Sequence, residues 1–303
     1  MKWQIMLHPI LPIVEKEHFT YNLLFTIPKF IFGDAAIGYS LFSVSLLIGL
    51  AFYLNYIVVK HKLFSQNTFL PAFSFLLLTS FFPNQNYLSE TIVESFFVLA
   101  GIDIILGLSH IANPRTAIFN AGFFMSFPLL FQASGFGFLL LFFVSLALLR
   151  PFQIAEWLVG IIGFFTPVYF FVCLLFLFDK IEVLHQFPLF DCNYLQAADF
   201  KGLHLLLLIG FFILIATGLF SLQQNLPRVT IYVRRGWLVM ISYCILALAI
   251  IFLSASTSYQ GWILLMPPLT MIISQSFCLE KTKRFSSFTF YFSILLFIFS
   301  QLI

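Results

Sequence analysis

The stretch SETIVESFFVLAGIDIILGLSH, residues Ser89–His110, raises the question that decides the fold. Most of its side chains are apolar enough for hydrocarbon, and its length is close to the ~20 residues that a helix needs to cross a bilayer. Three carboxylates interrupt it, at Glu90, Glu94 and Asp103. Because a charged group is costly inside a membrane, their role depends on whether the chain is a membrane protein.

The composition indicates a membrane protein. Of the 303 residues, 61% are hydrophobic and only 9% are charged, and the mean hydropathy is +1.02. A water-soluble domain of this length carries far more charge. The net charge of +3 is small, and no basic surface for a nucleic acid is present in the sequence. The four cysteines form neither a CxxC metal pair nor a disulfide framework: Cys173, Cys192, Cys244 and Cys278.

Hydropathy divides the chain into ten apolar segments that are candidate spanning helices, although several are short. A backbone in lipid must satisfy its hydrogen bonds internally, so these segments should be helical. The predicted fold is therefore all-α: a polytopic transmembrane helical bundle of about nine or ten spanning helices, with residues 1–303 forming one membrane domain. The predicted spans are 36–59, 68–83, 90–110, 116–132, 136–150, 157–178, 203–222, 237–255, 260–278 and 287–303.

The loops between these spans differ in charge, and the difference predicts the orientation. Basic residues are concentrated in cytoplasmic loops of bacterial membrane proteins. Every second loop here is basic, and this set holds ten of the fifteen Lys and Arg residues, whereas most of the acidic residues lie in the other set. The basic set is therefore predicted to be cytoplasmic: Lys60, Lys62, Arg115, Arg150, Arg228, Arg234, Arg235, Lys281, Lys283 and Arg284.

This orientation places residues 1–35 on the external side. The segment Phe19–Phe32 is apolar but short, and Pro28 and Lys29 interrupt it. It is expected to lie in the membrane interface as an amphipathic helix, and the alternative is an additional span that would place the N-terminus inside. Two longer loops are predicted, an external one over 179–202 and a cytoplasmic one over 221–236.

The three carboxylates of the opening stretch cannot form one site by themselves. Glu90 and Glu94 are four residues apart and share a helix face, whereas Asp103 lies on the opposite face. Asp103 is about 10 Å from the cytoplasmic end of its helix. It either hydrogen-bonds to a neighbouring helix or to Arg115, or it has a functional role. Glu94 is expected either to line a cavity open to the external side or to be structural.

Other candidate residues lie near the two membrane surfaces. Arg228, Arg234 and Arg235 are candidates for binding lipid phosphates at the inner leaflet, although such residues often only set the topology. Arg115 and Arg150 each adjoin a proline at a tight turn and are expected to stay in water. On the external side, a carboxylate held at the outer leaflet could act as a general base or bind a metal–phosphate, or it could be a solvated charge. The candidates are Glu15, Glu17 and Asp34.

The order of segments over Leu70–Lys180 resembles an uncharacterised family of polytopic inner-membrane proteins of Bacteroidota. Its members carry an Arg…Trp…Gly-Phe-x-x-Pro helix, matched here by Arg150, Trp157, Gly163, Phe164 and Pro167. More distantly, the chain resembles type C glycosyltransferases, which use a polyprenyl-phosphate-linked sugar donor at the outer leaflet. That resemblance implies a carboxylate in the first external loop, a position that only Glu15, Glu17 or Asp34 could hold. The usual first spanning helix and an Asp-Asp or Glu-Asp signature are missing.

These observations lead to one location and several possible functions. We expect a multi-pass protein of the bacterial inner (cytoplasmic) membrane. It is either an enzyme resembling the type C glycosyltransferases or a non-catalytic subunit or assembly factor of an envelope complex for secretion or motility; a small-solute transporter is a weaker alternative, because no pair of broken helices is visible. No cofactor is evident, although a glycosyltransferase could use a divalent metal. The expected partners are membrane lipids, a lipid-linked sugar and membrane-complex subunits, but no nucleic acid.

Overall fold

The structure, a computed structural model, describes residues 19–33, 35–82, 86–182, 202–253, 259–278 and 283–302. No β-strand occurs in these ranges, and the predicted all-α bundle is confirmed. The α-helices are α1 (Phe19–Phe32), α2 (Ala36–Lys60), α3 (Leu70–Phe81), α4 (Glu90–Gly107), α5 (Arg115–Met125), α6 (Phe127–Phe131), α7 (Gly137–Leu149), α8 (Ile154–Leu177), α9 (Gly202–Asn225), α10 (Ile231–Leu253), α11 (Met266–Phe277) and α12 (Lys283–Leu302).

Each of the ten predicted spans coincides with helical structure, but the helices differ in length. Among the described residues, four helices are long and apolar enough to cross a membrane, over Ala36–Lys60, Ile154–Leu177, Ile209–Arg228 and Ile231–Phe252. Helix α3, with 12 residues, is only about 18 Å long, less than the ~30 Å of a hydrocarbon core. The helices thus suit a membrane protein, and the number of crossings, nine or ten, stays a prediction.

Prolines explain why two predicted spans are not single helices. The segment predicted over 116–132 is divided at Ser126, because Pro128 occupies the first turn of α6 and has no backbone N–H to continue α5. A 3₁₀ turn over Ala133–Phe136 then leads into α7. Similarly, the segment predicted over 260–278 begins as a 3₁₀ turn over Tyr259–Leu265, and Pro267 and Pro268 open α11.

The cytoplasmic loop predicted over 221–236 is much shorter in the structure. Helix α9 continues to Asn225, a 3₁₀ turn covers Leu226–Arg228, and α10 begins at Ile231. The prediction ended both helices where charged and amide side chains begin. A helix does not have to end at the membrane surface, however, and the first turn of α10 carries Arg234 and Arg235 with their side chains exposed.

The closest helix crossing joins α5 and α8 and depends on glycine. A Cβ atom on Gly122 would lie 2.7 Å from the carbonyl oxygen of Gly160, and one on Gly163 would overlap the backbone of Phe119. Backbones approach this closely only where side chains are absent, which is the usual role of small residues in packed membrane helices. This contact fixes α8 against the bundle along one side only.

The remaining surface of α8 is apolar and exposed, as expected of a helix that faces lipid. Tyr169 is 66% exposed, and Ile162 and Phe170 are similarly open. The buried apolar side chains instead form one large cluster that includes residues of α2 to α5 and α7 to α12. Trp237 and Tyr243 of α10 are among its largest fully buried members. Helix α1 packs outside this cluster, with Phe25 against Tyr39 and Leu88.

Candidate functional site

The C-terminal end of α2 is closed by a left-handed residue, and this geometry fixes two functional side chains. Lys62 has φ 51°, and its N–H donates to the carbonyl of Val59 (3.2 Å), while Leu63 N–H donates to Val58 (3.1 Å). This pair of bonds is the Schellman arrangement, usually built with glycine at the left-handed position. It fixes the last turn of α2, which carries Lys60 and His61.

Asp103 of α4 binds both of these side chains. Its Oδ1 lies 2.7 Å from His61 Nε2, and its Oδ2 accepts a hydrogen bond of 2.7 Å from Lys60 Nζ. The side chain of Asp103 is 12% exposed, that of His61 is 4% exposed and that of Lys60 is 43% exposed. The carboxylate is therefore paired at its depth in the bundle, and Lys60 connects the pair to the surface.

Tyr232, at the start of α10, completes this Asp103 cluster (Lys60, His61, Asp103 and Tyr232). Its hydroxyl lies 2.8 Å from His61 Nδ1 and 3.1 Å from the carbonyl oxygen of Leu106, to which it can donate. One hydroxyl hydrogen cannot serve both bonds. The Tyr232 hydroxyl therefore donates either to Leu106 O, while it accepts from His61 Nδ1, or to His61 Nδ1.

Neighbouring helix ends at the same end of the bundle are also closed by long side chains. Trp237 Nε1 donates to Leu63 O (3.1 Å), and Arg235 Nη1 donates to Leu149 O (3.3 Å). Arg150 Nη1 donates to the carbonyls of Leu108 and Ile111, each at 3.0 Å. The last carbonyls of a helix have no partner within the helix and carry its negative dipole end, so cationic and N–H donors stabilise them.

Arg150 also pairs with a carboxylate that the sequence analysis did not single out. Its Nε lies 3.4 Å from Oε2 of the buried Glu156, in the first turn of α8. The expectation that Arg150 stays in water is therefore wrong: its side chain is only 18% exposed, because it reaches back over the ends of α4 and α7. Arg115, by contrast, is exposed, as expected.

The structure thus assigns partners to Asp103. Of the two structural possibilities, a neighbouring helix or Arg115, it contains the first: the partners Lys60 and His61 are on α2, and no ion pair joins Asp103 to Arg115 within the described residues. The sequence alone could not identify Lys60 and His61 as the partners of Asp103. The only signal was that they, like Asp103, lie within about two turns of the predicted cytoplasmic surface.

Glu94 has a different environment from Asp103. It is fully buried, and its single hydrogen bond with the described residues is a long one, 3.4 Å, from Gln132 Nε2 to Oε2. In this structure the side chain therefore faces other helices and does not line an open groove. Glu90, one turn nearer the N-terminal end of α4, is only partly buried.

The other candidate residues are described only in part. Arg234 donates from Nε to Leu226 O (3.2 Å), Arg235 binds Leu149 O, and Arg228 is exposed. All three side chains reach the surface, so binding of lipid phosphates stays a prediction. The external carboxylates, Glu15, Glu17 and Asp34, lie outside the described residues.

Comparisons with known proteins assign no family to this arrangement. No family model, no curated protein and no solved structure matches the chain. Within the described ranges, no group of three His, Cys, Asp or Glu side chains could hold a metal ion. The chemistry that the Asp103 cluster offers is ion pairing and hydrogen bonding between helices at one end of the bundle.

Replacing Asp103 with alanine should destabilise the protein by about 1–3 kcal/mol, because buried His61 then keeps an N–H donor without its acceptor. Lys60→Ala should cost less than ~1 kcal/mol, since the ammonium group is 43% exposed and can return to water. Unfolding in detergent, followed by tryptophan fluorescence, measures both. Equal and small losses in the two variants would contradict a structural role for the His61–Asp103 bond.

Proposed function

We propose that this chain is a multi-pass protein of the bacterial cytoplasmic membrane and that the Asp103 cluster lies at its cytoplasmic end. Two observations support this orientation. Lys60, Arg150 and Arg235 gather at that end of the bundle, where Lys60 binds Asp103 and the two arginines close helix ends. In the sequence, these residues belong to the alternate set of loops that holds ten of the fifteen Lys and Arg residues, which is the bias found on the cytoplasmic side.

In this membrane the protein works as a non-catalytic subunit or assembly factor of an envelope complex, for secretion or motility. The observation that supports this proposal is the set of bonds made by the buried charges of the Asp103 cluster and of Arg150. They bind one another and helix-end carbonyls, and this arrangement holds α2, α4, α7, α8 and α10 together. Charges used in this way stabilise a scaffold, which is what a membrane subunit requires.

The exposed face of α8 is the surface that this function would use. Tyr169 and Phe170 are largely exposed on a helix whose opposite face, with Gly160 and Gly163, packs on the bundle. Aromatic side chains are enriched where protein surfaces meet. We propose that partner helices pack on this face, and that Arg228 and Arg234 contact phosphates of the inner leaflet at the cytoplasmic surface.

A photoreactive amino acid placed at Tyr169 in living cells should form a discrete protein adduct, because this position faces outward and a partner helix would lie within reach of it. The control is Phe164, which is on the same helix but fully buried, and which should form no intermolecular adduct. Denaturing gels after irradiation show both. Cross-linking only to lipid at Tyr169 and Phe170 would contradict the partner surface.

A type C glycosyltransferase-like activity is the second candidate, and the resemblance over Leu70–Lys180 favours it. In that case a lipid-linked sugar is the donor, and a carboxylate of the external segment activates the acceptor or holds a divalent metal. Glu15, Glu17 and Asp34 are the residues available for that role.

Alanine substitution at Glu15, Glu17 and Asp34 distinguishes the two functions. If the protein is an enzyme of this class, at least one variant should lose an envelope glycan while its amount in the membrane stays normal, because the missing carboxylate activates the acceptor. If it is a scaffold, all three variants should keep the wild-type glycan profile. Glycan profiling of intact envelopes measures this, and Glu182→Ala, at an exposed acidic position, is the control.

A further inference from the structure

The interior of the bundle contains a carboxyl group that lacks any charged partner. Glu94 of α4 is fully buried, and one of its oxygens, Oε1, has no hydrogen-bond partner in the described part of the chain. The other oxygen has only the long bond from the neutral amide of Gln132. Glu156 is almost as deeply buried but has the guanidinium of Arg150 beside it. The two buried glutamates therefore differ in how their charge can be compensated.

Among the described residues, no basic side chain forms an ion pair with Glu94. The elements packed on α4 include α2, α5, α6, α7, the 3₁₀ turns over Leu108–His110 and Tyr259–Leu265, and α10, whose Tyr232 bonds to Leu106 of α4. Their basic residues belong to chain positions at the opposite end of the bundle: Lys60, His110, Arg115, Arg234 and Arg235. Lys60 binds Asp103, which is nine residues, or about 13 Å, further along α4.

The titratable groups that do act on Glu94 are also not cationic. They are Glu90, one turn away on the same helix, and Tyr243 of α10. The Tyr243 hydroxyl is fully buried and has no hydrogen-bond partner in the described ranges. The buried hydroxyl of Ser134, in the turn that follows Gln132, also has no hydrogen-bond partner there. The described titratable groups that act on Glu94 thus supply no positive charge.

An ionised carboxylate in this environment would cost several kcal/mol, and adding one proton removes the charge. A proton on Oε1 also removes the need of that oxygen for a hydrogen-bond donor, which it lacks among the described residues. We propose that Glu94 is a proton-binding site inside the bundle, occupied at neutral pH. Partly buried Glu90, about 6 Å along the helix towards the external end, is the step by which the proton exchanges with water.

A protonated carboxyl group in an apolar interior also has a characteristic reactivity. It adds to a hydrophobic carbodiimide: the acid proton moves to one carbodiimide nitrogen while the carboxyl oxygen bonds to the central carbon. The acyl group then migrates to nitrogen, so that the product is an N-acylurea that contains both reactants and releases nothing. Glu94 is therefore a predicted modification site for dicyclohexylcarbodiimide, whereas ion-paired Glu156 is not.

Infrared spectroscopy of the full chain in lipid tests the proposal directly. Wild-type protein at neutral pH should show the carbonyl band of a protonated carboxyl group, and the band should shift in D₂O because the proton exchanges. The band should be lost in Glu94→Gln, which keeps the size of the side chain, and it should remain in the matched control Glu156→Gln. Absence of the band from wild type, or its loss in Glu156→Gln alone, would overturn the proposal.

Peptide mapping of wild-type protein treated with dicyclohexylcarbodiimide provides a second readout that needs no variant. An adduct with the mass of one carbodiimide on the peptide that contains Glu94, with none on the peptide that contains Glu156, supports the proposal. An adduct on Glu156 with an unmodified Glu94 overturns it. Neither readout depends on the scaffold or glycosyltransferase function proposed above.

Discussion

Hydrocarbon offers no hydrogen-bond partner, and this constraint explains most of the polar architecture of the bundle. Helix ends are the places where backbone carbonyls lack partners within the helix, and at one end of this bundle side chains from other helices supply the donors. Tyr232, Trp237 and Arg235 of α10 each donate to the end of a different helix or its following turn. Arg150, which donates to the carbonyls of Leu108 and Ile111, is itself paired with Glu156, and nearby Lys60 is paired with Asp103.

Much of the fold could be predicted because the hydropathy and length of a segment indicate a helix without knowledge of its neighbours. A segment such as 36–59 is almost entirely apolar, and the structure contains a helix over Ala36–Lys60. The interruptions were harder to predict. Lys62 and Asp179 have positive φ at helix ends where glycine is the usual residue, so composition gave no signal for these turns. The short connection between α9 and α10 was missed because Arg234 and Arg235 were assumed to mark a loop.

From the sequence, the site could be predicted only as a set of charged residues whose burial in an apolar segment is unfavourable. Asp103 and Glu94 were recognisable, because a carboxylate in an apolar stretch needs an explanation. Their partners depend on which helices are neighbours and how each is rotated, and hydropathy contains neither quantity. Asp103 and Lys60 are 43 residues apart, and His61 and Tyr232 are 171 apart. Glu156 looked like an ordinary first-turn acid, and only the path of the Arg150 side chain shows that it is buried and paired.

The central claim is that the Asp103 end of the bundle faces the cytosol and that α8 carries the chain across the membrane. Single cysteines at Lys62, at the Asp103 end, and at Lys180, beyond the far end of α8, test it most directly, because both positions are exposed. In intact cells a membrane-impermeant maleimide should label the cysteine at position 180 and not the one at 62, and inverted vesicles should give the opposite pattern. Labelling of both positions from the same side would contradict the account.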